Sequence, residues 1–151
     1  MVYEQPRTRM IGALLRIPFQ VTVERVYQRL KEAGYTDLRP THFAVLQQMR
    51  PEGLHVTELA DLAQMTRQSM GALVGYLEER AYVERIADPS DGRAWLIRLT
   101  AQGYAVEQVA RAALAELEAE WASVLGEKRF TTLYSTLRDL VAVYEHHGSG
   151  A

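Results

Sequence analysis

Apolar positions recur at helical spacing along most of the chain, and they predict six helices and one β-hairpin. The first long helix is predicted from Thr8 to about Gly34, with Gly34 as its C-cap. Pro18 lies inside this pattern. It is expected to kink or break the helix, because proline cannot donate a hydrogen bond to the carbonyl four residues earlier. A second, short helix is predicted over 42–49, with Thr41 as its N-cap.

Two helices joined by a turn are predicted over residues 57–80. Thr57 is a suitable N-cap for a helix over 58–63, and Thr66 is a suitable N-cap for a helix that runs to about Arg80. One face of the second helix is apolar, at Met70, Leu73, Val74 and Leu77. The opposite face is small or hydrogen-bonding, with Arg67, Gln68, Ser69, Gly71 and Ala72. A helix-turn-helix needs such a face on its second helix, because a bulky or acidic surface could not enter the major groove.

A β-hairpin is predicted directly after this recognition helix. Two strand-like runs, 82–86 and 95–99, flank a cluster of turn-forming residues over 87–94. Arg93 lies near the predicted tip, and arginine is suited to the narrow minor groove or to a phosphate. The fold class is therefore mainly α with a small β-wing, a winged helix-turn-helix with helices on both sides.

The remainder of the chain predicts two further helices. Thr100 can cap a helix that runs to about Leu125, and Gly126 separates it from a last helix over 127–144. The apolar stripe predicted for the longer helix comprises Val106, Val109, Ala113, Leu117, Trp121 and Val124. A winged helix does not need apolar helices at both ends. Their simplest use is to pair the terminal helices of two chains in a two-fold dimer.

Residues 59–103 resemble the DNA-binding core of the MarR family of bacterial transcription regulators, and they read LADLAQMTRQSMGALVGYLEERAYVERIADPSDGRAWLIRLTAQG. This resemblance covers the helix-turn-helix, the wing and the LTAQG that opens the next helix. It implies a homodimer that binds a pseudopalindromic DNA operator, usually as a repressor, and often releases it when a small molecule binds.

The resemblance also implies a division of the chain. It assigns 8–36 and 100–146 to dimerisation, 40–99 to the winged helix-turn-helix, and 147–151 to a frayed tail. One departure is visible, because Ala81 follows the recognition helix where such proteins commonly have glycine. An alanine in a left-handed conformation would cost roughly 1 kcal/mol relative to glycine.

The composition of the chain excludes several classes of site and function. The chain has no cysteine, which excludes disulfides, thiolate metal sites and cysteine-based peroxide sensing. It has no apolar run of about 18 residues and no signal-peptide pattern, so we expect a cytoplasmic protein. Hydrolase, metalloprotease and phosphate-loop motifs are missing, and we expect neither an enzyme nor a cofactor or metal.

The net charge of −2 is unusual for a DNA-binding protein. Residues 1–50 hold eight Lys and Arg against four acids, whereas the other 101 residues hold nine against fifteen. DNA affinity would then depend on a few phosphate contacts, helix N-termini and dimerisation. The acidic balance leaves an alternative open, a winged-helix protein-interaction or dimerisation module that does not bind DNA.

The predicted DNA contacts lie on the recognition helix and the wing: Thr66, Arg67, Gln68, Ser69, Ala72, Ser90 and Arg93. The alternatives are solvated helix residues and, for Arg93, an ion pair with Asp91 or Asp88. The resemblance implies that Asp91 braces the wing through Arg85 or Arg93. Gly71 and Gly75 each lower the stability of a helix. Their presence indicates one of three things: close approach to DNA, close approach to the preceding helix, or tight packing alone.

The resemblance also implies an effector site where the dimerising helices meet the winged domain. Its ligand would be a small phenolic or other aromatic anion. Candidate polar groups are Arg16, Tyr27 and His42, with Phe19 and Phe43 as apolar walls. The alternative for each is an ordinary core or surface residue.

Overall fold

A computed structural model describes residues 10–145, which form six helices and a two-stranded antiparallel sheet. The elements are α1 (Ile11–Glu32), α2 (Pro40–Leu46), α3 (Val56–Leu62), α4 (Arg67–Glu79), β1 (Val83–Asp88), β2 (Asp91–Leu99), α5 (Ala101–Leu125) and α6 (Glu127–Glu145). The predicted fold class is confirmed. The predicted helix start at Thr8 and the tail over 147–151 lie outside the described residues.

The chain divides within α5 into two compact units, Met1–Ala113 and Leu114–Ala151. In the first unit, every element from the C-terminal half of α1 to the start of α5 contributes fully buried side chains. They include Leu30, Leu38, Val45, Leu59, Met70, Val74, Leu77, Val83, Ile97 and Val106. Burial of these apolar side chains is the main stabilising term of the winged unit. In the second unit, α6 has no buried residue.

Helix α1 runs without interruption through Pro18, so the predicted break is wrong. A proline removes one backbone hydrogen bond, but the bonds of the turns before and after it keep the chain helical. Gly34 follows the C-cap of α1 with φ +95, as predicted, and the Tyr35 amide donates to the Leu30 carbonyl.

Two of the four predicted threonine N-caps are wrong. Helix α2 is capped at Arg39 rather than Thr41, and α3 is capped at His55 rather than Thr57. In each helix a side chain three residues further on accepts the N-cap amide. The acceptors are Nδ1 of His42, at 2.8 Å from the Arg39 amide, and Oε2 of Glu58, at 2.8 Å from the His55 amide. This bond satisfies an N-cap donor that a threonine two residues later could not reach.

The other two threonine caps are confirmed. The Thr66 hydroxyl accepts the Ser69 amide at 3.1 Å, and the Thr100 hydroxyl accepts the Gly103 amide at 3.1 Å. Between α5 and α6, Gly126 has φ +88, as its predicted role as a helix stop requires. The stripe predicted on α5 is correct at Val106, Ala113 and Leu117, which are buried. Val124, at the end of the same stripe, is 83% exposed.

The hairpin is longer, and its turn shorter, than predicted. The strands pair from Val83 with Leu99 out to Asp88 with Asp91, so only Pro89 and Ser90 lie between them. An irregularity in register between Ala87 and Asp88 leaves residues 92–94 of β2 without a partner on β1. The inner end is joined by Leu54, whose amide and carbonyl pair with Ile97 at 2.9 and 2.8 Å.

Ala81 has φ +59, so it adopts the left-handed conformation that glycine would adopt with less strain. We expect Ala81→Gly to raise the free energy of unfolding by about 1 kcal/mol, because glycine has no Cβ penalty there. The same exchange at Ala72, exposed inside α4, is expected to lower it by about 1 kcal/mol. Urea unfolding of both variants checks the opposite signs, and a loss of stability in both would contradict the strain at Ala81.

Candidate nucleic-acid interface

The N-terminal end of α4 presents an exposed, hydrogen-bonding surface. Arg67, Gln68, Ser69 and Ala72 are all exposed. The Thr66 hydroxyl accepts the Ser69 amide and donates to the Ser69 hydroxyl oxygen at 2.9 Å, so capping occupies it. Ser69 keeps its own hydroxyl proton for another acceptor. Among residues 10–145, the Arg67 guanidinium has no ion-pair partner, and its charge is available to an anion.

Gly71 and Gly75 leave this surface open. A Cβ added at either position would meet nothing within 4 Å outside its own helix and chain neighbours. Tight packing inside the chain, and close approach to the preceding helix, therefore do not explain these glycines in the described structure. The remaining interpretation is approach by something outside the chain, as at a recognition helix that enters a groove.

Arg93 lies exposed in the irregular segment of the wing. Its backbone amide donates to Oδ1 of Asp91 at 3.1 Å, so Asp91 holds the backbone of the wing at this point. Within the described part of the chain, the Arg93 guanidinium makes no ion pair with Asp91 or Asp88. The wing therefore presents a positive charge on a residue whose backbone is held by Asp91.

The acids near this surface are largely paired. Glu78 of α4 bonds the Arg85 Nε at 2.8 Å, and Glu84 bonds the Arg98 Nε at 2.7 Å. Arg85 thus ties β1 to α4. Of the two partners predicted for Asp91, Arg85 contacts Glu78 instead, whereas the Arg93 amide does donate to Asp91. Exposed ion pairs add little stability, but they cancel the local charge of these acids. The unpaired cations Arg67 and Arg93 remain, despite the overall charge of −2.

The comparison with known proteins agrees with this geometry. A sequence profile of the MarR family matches residues 36–94, which comprise α2, the helix-turn-helix and the wing up to Ala94. The chain also superposes on wild-type MarR from E. coli in its apo form, at 23% identity and a TM-score of 0.71, over 89% of this chain and 98% of that one. Residues 36–94 thus match the MarR family profile, and the chain shares the fold of MarR.

Three further structures that the chain resembles contain bound molecules. The transcriptional repressor CouR bound to a 23-mer DNA duplex is 26% identical, with a TM-score of 0.68 over 87% of this chain and 92% of that one. CouR from Rhodococcus jostii RHA1 has also been solved with p-coumaroyl-CoA. Rv2887 of Mycobacterium tuberculosis, in complex with salicylic acid, is 28% identical, with a TM-score of 0.66 over 89% of this chain and 98% of that one. No curated protein sequence matches the chain significantly.

In this chain, Ser90 closes the wing turn. Its amide and its hydroxyl both donate to Oδ1 of Asp88, at 2.8 and 2.7 Å. These two bonds lower the pKa of Asp88 below its ordinary value, and the nearby His55 lowers it by a smaller amount. The Ser90 proton is therefore used within the turn, and the contact of Ser90 with a DNA phosphate stays a prediction.

The predicted effector residues differ in their exposure and in the contacts that they already make. Arg16 is exposed and donates to Oε1 of Gln20 at 3.0 Å, and Tyr27 is half-buried. His42 is buried, its ring stacks on Tyr76 at 4.4 Å between centroids, and its Nδ1 accepts the N-cap amide of α2. A ligand could use His42 only by displacing these contacts. The structure does not bring the three residues together around one described cavity.

Burial lowers the pKa of His42, and the positive charges of Arg39 and Arg80 lower it further. The folded state therefore disfavours protonated His42, whereas the unfolded chain protonates it near pH 6.5. We expect stability to fall as pH drops from 7 to 5, and His42→Gln to reduce this slope, since glutamine keeps the capping acceptor without titrating. Urea unfolding at both pH values checks this, and an unchanged slope would contradict it.

The sequence analysis did not identify His55 as part of this region. Its ring contacts the wing twice, with Nε2 2.9 Å from Oδ2 of Asp88 and Nδ1 3.2 Å from the Trp95 carbonyl. The only local signal is the spacing of His55 and Glu58, which form a capping box. The two wing contacts span 33 and 40 positions and cannot be read from local spacing.

Over residues 10–145, no helix is long and apolar enough to cross a membrane. In the same range, no group of three or more histidine or acidic side chains is placed to hold a metal ion.

Proposed function

We propose that the chain is a sequence-specific DNA-binding transcriptional regulator that acts as a homodimer on a pseudopalindromic operator. The observation on which this depends is that two exposed guanidinium groups, Arg67 on α4 and Arg93 in the wing, have no ion-pair partner among residues 10–145. A recognition helix reads base edges in the major groove, while an arginine on a wing suits the minor groove or a phosphate. Gln68 and Ser69 add further hydrogen-bonding groups to the same end of α4.

The apolar surface of the outer helices supports the homodimer. On α1, Ile11, Leu14 and Phe19 are 71%, 51% and 63% exposed. Helix α6 exposes Leu140 and Tyr144 by 46% and 71%, and none of its residues is buried. Exposed apolar surface on this scale indicates an interaction site. A two-fold dimer would cover it and present two recognition helices to one palindrome.

The direction of regulation and the effector are the finer parts of the proposal. We infer repression by operator occupancy, in line with the repressor CouR. A small aromatic carboxylate is the first effector class to test, because Rv2887 binds salicylic acid and CouR binds p-coumaroyl-CoA. Such a ligand would act by binding one dimer geometry better than the other. The recognition helices would then leave the spacing of about 34 Å that successive major grooves require. No catalytic step is proposed.

A fluorescence-anisotropy titration tests the function directly. DNA from upstream of the chain's own gene is compared with a scrambled duplex at two salt concentrations. We expect preferential, salt-sensitive binding with two chains per duplex. Absent or equal binding on both duplexes would count against this operator, and a genomic selection of bound fragments would follow. Failure of that selection would favour the alternative, a protein-interaction module.

A further inference from the structure

One face of the hairpin is turned towards the recognition helix. Arg85 of β1 bonds Glu78 of α4 at 2.8 Å, so the face that carries the Arg85 side chain meets α4. Directly paired residues of an antiparallel hairpin lie on one face, and so do residues two positions apart on a strand. Ala87 and its partner Trp95 therefore lie on the same face as Arg85, two positions closer to the tip of the wing.

Trp95 is the large side chain on this outer part of the face. Ile97 and Leu99, further in on the same face, are buried, whereas Trp95 is 56% exposed. Ala87, opposite Trp95, is also exposed and is too small to cover an indole ring. Among residues 10–145, the indole N–H has no hydrogen-bond acceptor and the ring stacks on no other aromatic ring. The core of the winged unit thus leaves this tryptophan uncovered.

The side of α4 that meets the hairpin is open beyond the ion pair. Arg67, Gly71, Gly75 and Glu78 follow one another at spacings of four, four and three, so they share this side of the helix. A Cβ added at either glycine would meet nothing within 4 Å, and no hairpin side chain therefore fills the space beside them. A cleft thus lies between α4 and the hairpin face, with the Glu78–Arg85 ion pair at its inner end.

The groups along this cleft favour an occupant that is both anionic and apolar. Arg67 lies at the outer end of the α4 side, and Arg93 lies two residues beyond Trp95 on β2. Neither guanidinium has an ion-pair partner in the described part of the chain, so both can accept a negative charge from outside. Between them lie two glycines and an indole ring. A sugar–phosphate strand of DNA fits this arrangement, because it alternates phosphates with apolar deoxyribose.

We propose that the cleft between α4 and the wing seats one sugar–phosphate strand of the operator, and that Trp95 contacts this strand by packing on deoxyribose. This inference rests on the proposed function. With α4 in the major groove and the wing in the adjacent minor groove, the strand that separates the two grooves passes between them. Gly71 and Gly75 let it approach the helix backbone closely. Deoxyribose is the same at every base pair, so Trp95 adds affinity without adding sequence preference.

Anisotropy titrations of Trp95→Ala with the operator and with a scrambled duplex test this contact. We expect both affinities to fall about tenfold, the scale of truncating one interface tryptophan. The slope of affinity against salt should not change, because indole carries no charge. Trp95→Phe keeps an aromatic ring and should bind within about threefold of the native protein. Unchanged affinity of Trp95→Ala for both duplexes would overturn the proposal, and so would a loss confined to the operator.

Tyr104→Ala is the matched control. It removes an aromatic side chain that is 41% exposed at the start of α5, next to the inner end of the hairpin and away from its tip. We expect it to bind both duplexes as the native protein does. If it weakened binding as much as Trp95→Ala, the loss of any exposed aromatic ring would explain the effect and the assignment of Trp95 would fall.

A second measurement leaves Trp95 in place, so it does not depend on the folding of Trp95→Ala. In a Trp121→Phe variant, Trp95 is the remaining tryptophan, and its quenching by neutral acrylamide reports its access to solvent. We expect the operator to protect it, and undiminished quenching in the complex would overturn the proposal. If the native protein binds neither duplex, the proposed function fails and this contact fails with it. If the native protein binds and Trp95→Ala binds equally well, the contact alone fails.

Discussion

We expect Gly103→Ala to lower the free energy of unfolding by about 3 kcal/mol. An alanine Cβ at this position would lie 2.2 Å from the Tyr82 carbonyl oxygen and 3.0 Å from Cδ2 of Leu99. The first distance is well inside van der Waals contact, so the start of α5 or the start of the hairpin would have to move.

Neither side can move easily. The Tyr82 carbonyl accepts the Thr100 amide at 3.1 Å, and the buried Tyr82 side chain donates to Oδ1 of Asp37 at 2.7 Å. Burial and this bond raise the pKa of Tyr82, so the phenol stays protonated as a donor. The Gly103 amide itself donates to the Thr100 hydroxyl. A displacement that relieved the clash would therefore break several hydrogen bonds at once.

Gly75→Ala is the matched control, because it makes the same exchange inside a helix where the added Cβ meets nothing within 4 Å. It is expected to raise stability by roughly 1 kcal/mol. Urea unfolding of both variants, followed by circular dichroism, separates the two outcomes. Equal unfolding midpoints for the Gly103 and Gly75 variants would contradict the close approach of α5 to Tyr82.

The correct sequence predictions share a local cause. Thr66 and Thr100 cap helices through amides three residues away, and Gly126 stops a helix by its own backbone conformation. The wrong caps at Thr41 and Thr57 show where this reasoning ends. The side chains of His42 and Glu58 accept the amides of Arg39 and His55, and each helix therefore starts at an earlier residue than a threonine cap predicts.

The errors at the wing come from contacts between distant residues. The sequence alone predicted that Arg93 is exposed, because it lies in a cluster of turn-forming residues. The partner of Arg85 could not, because Glu78 lies on α4 and faces Arg85 only when the hairpin folds back. The same holds for His55, which meets Asp88 and Trp95 only through tertiary structure. Hydrophobic spacing thus predicted the elements, while the charge pairing that exposes a cationic surface required the fold.

We expect Arg67→Ala and Arg93→Ala each to weaken operator binding by about 10- to 100-fold, the range of 1–3 kcal/mol that one arginine contact contributes. Both guanidinium groups lack an ion pair among the described residues, so their removal leaves no acid unpaired in the chain. The folded state should be unaffected. Thermal unfolding of each variant within a degree or two of the native protein is part of the expected result.

The two arginines are expected to differ in how they act. An arginine that reads a base should lower affinity for the operator more than for a scrambled duplex, whereas one that holds a phosphate should weaken both. A phosphate contact should also lower the slope of affinity against salt by about one. We assign the first behaviour to Arg67, at the end of α4 where base edges are read, and the second to Arg93 in the wing.

Arg111→Ala is the control for net charge. It removes the same charge from α5, where Arg111 is already paired with Glu107 on its own helix. We expect its operator affinity and salt slope to stay close to those of the native protein. If Arg111→Ala weakened binding as much as the other two, bulk charge would explain the affinity. Arg67 and Arg93 would then lose their assignment as contacts, although the MarR-family fold would stand.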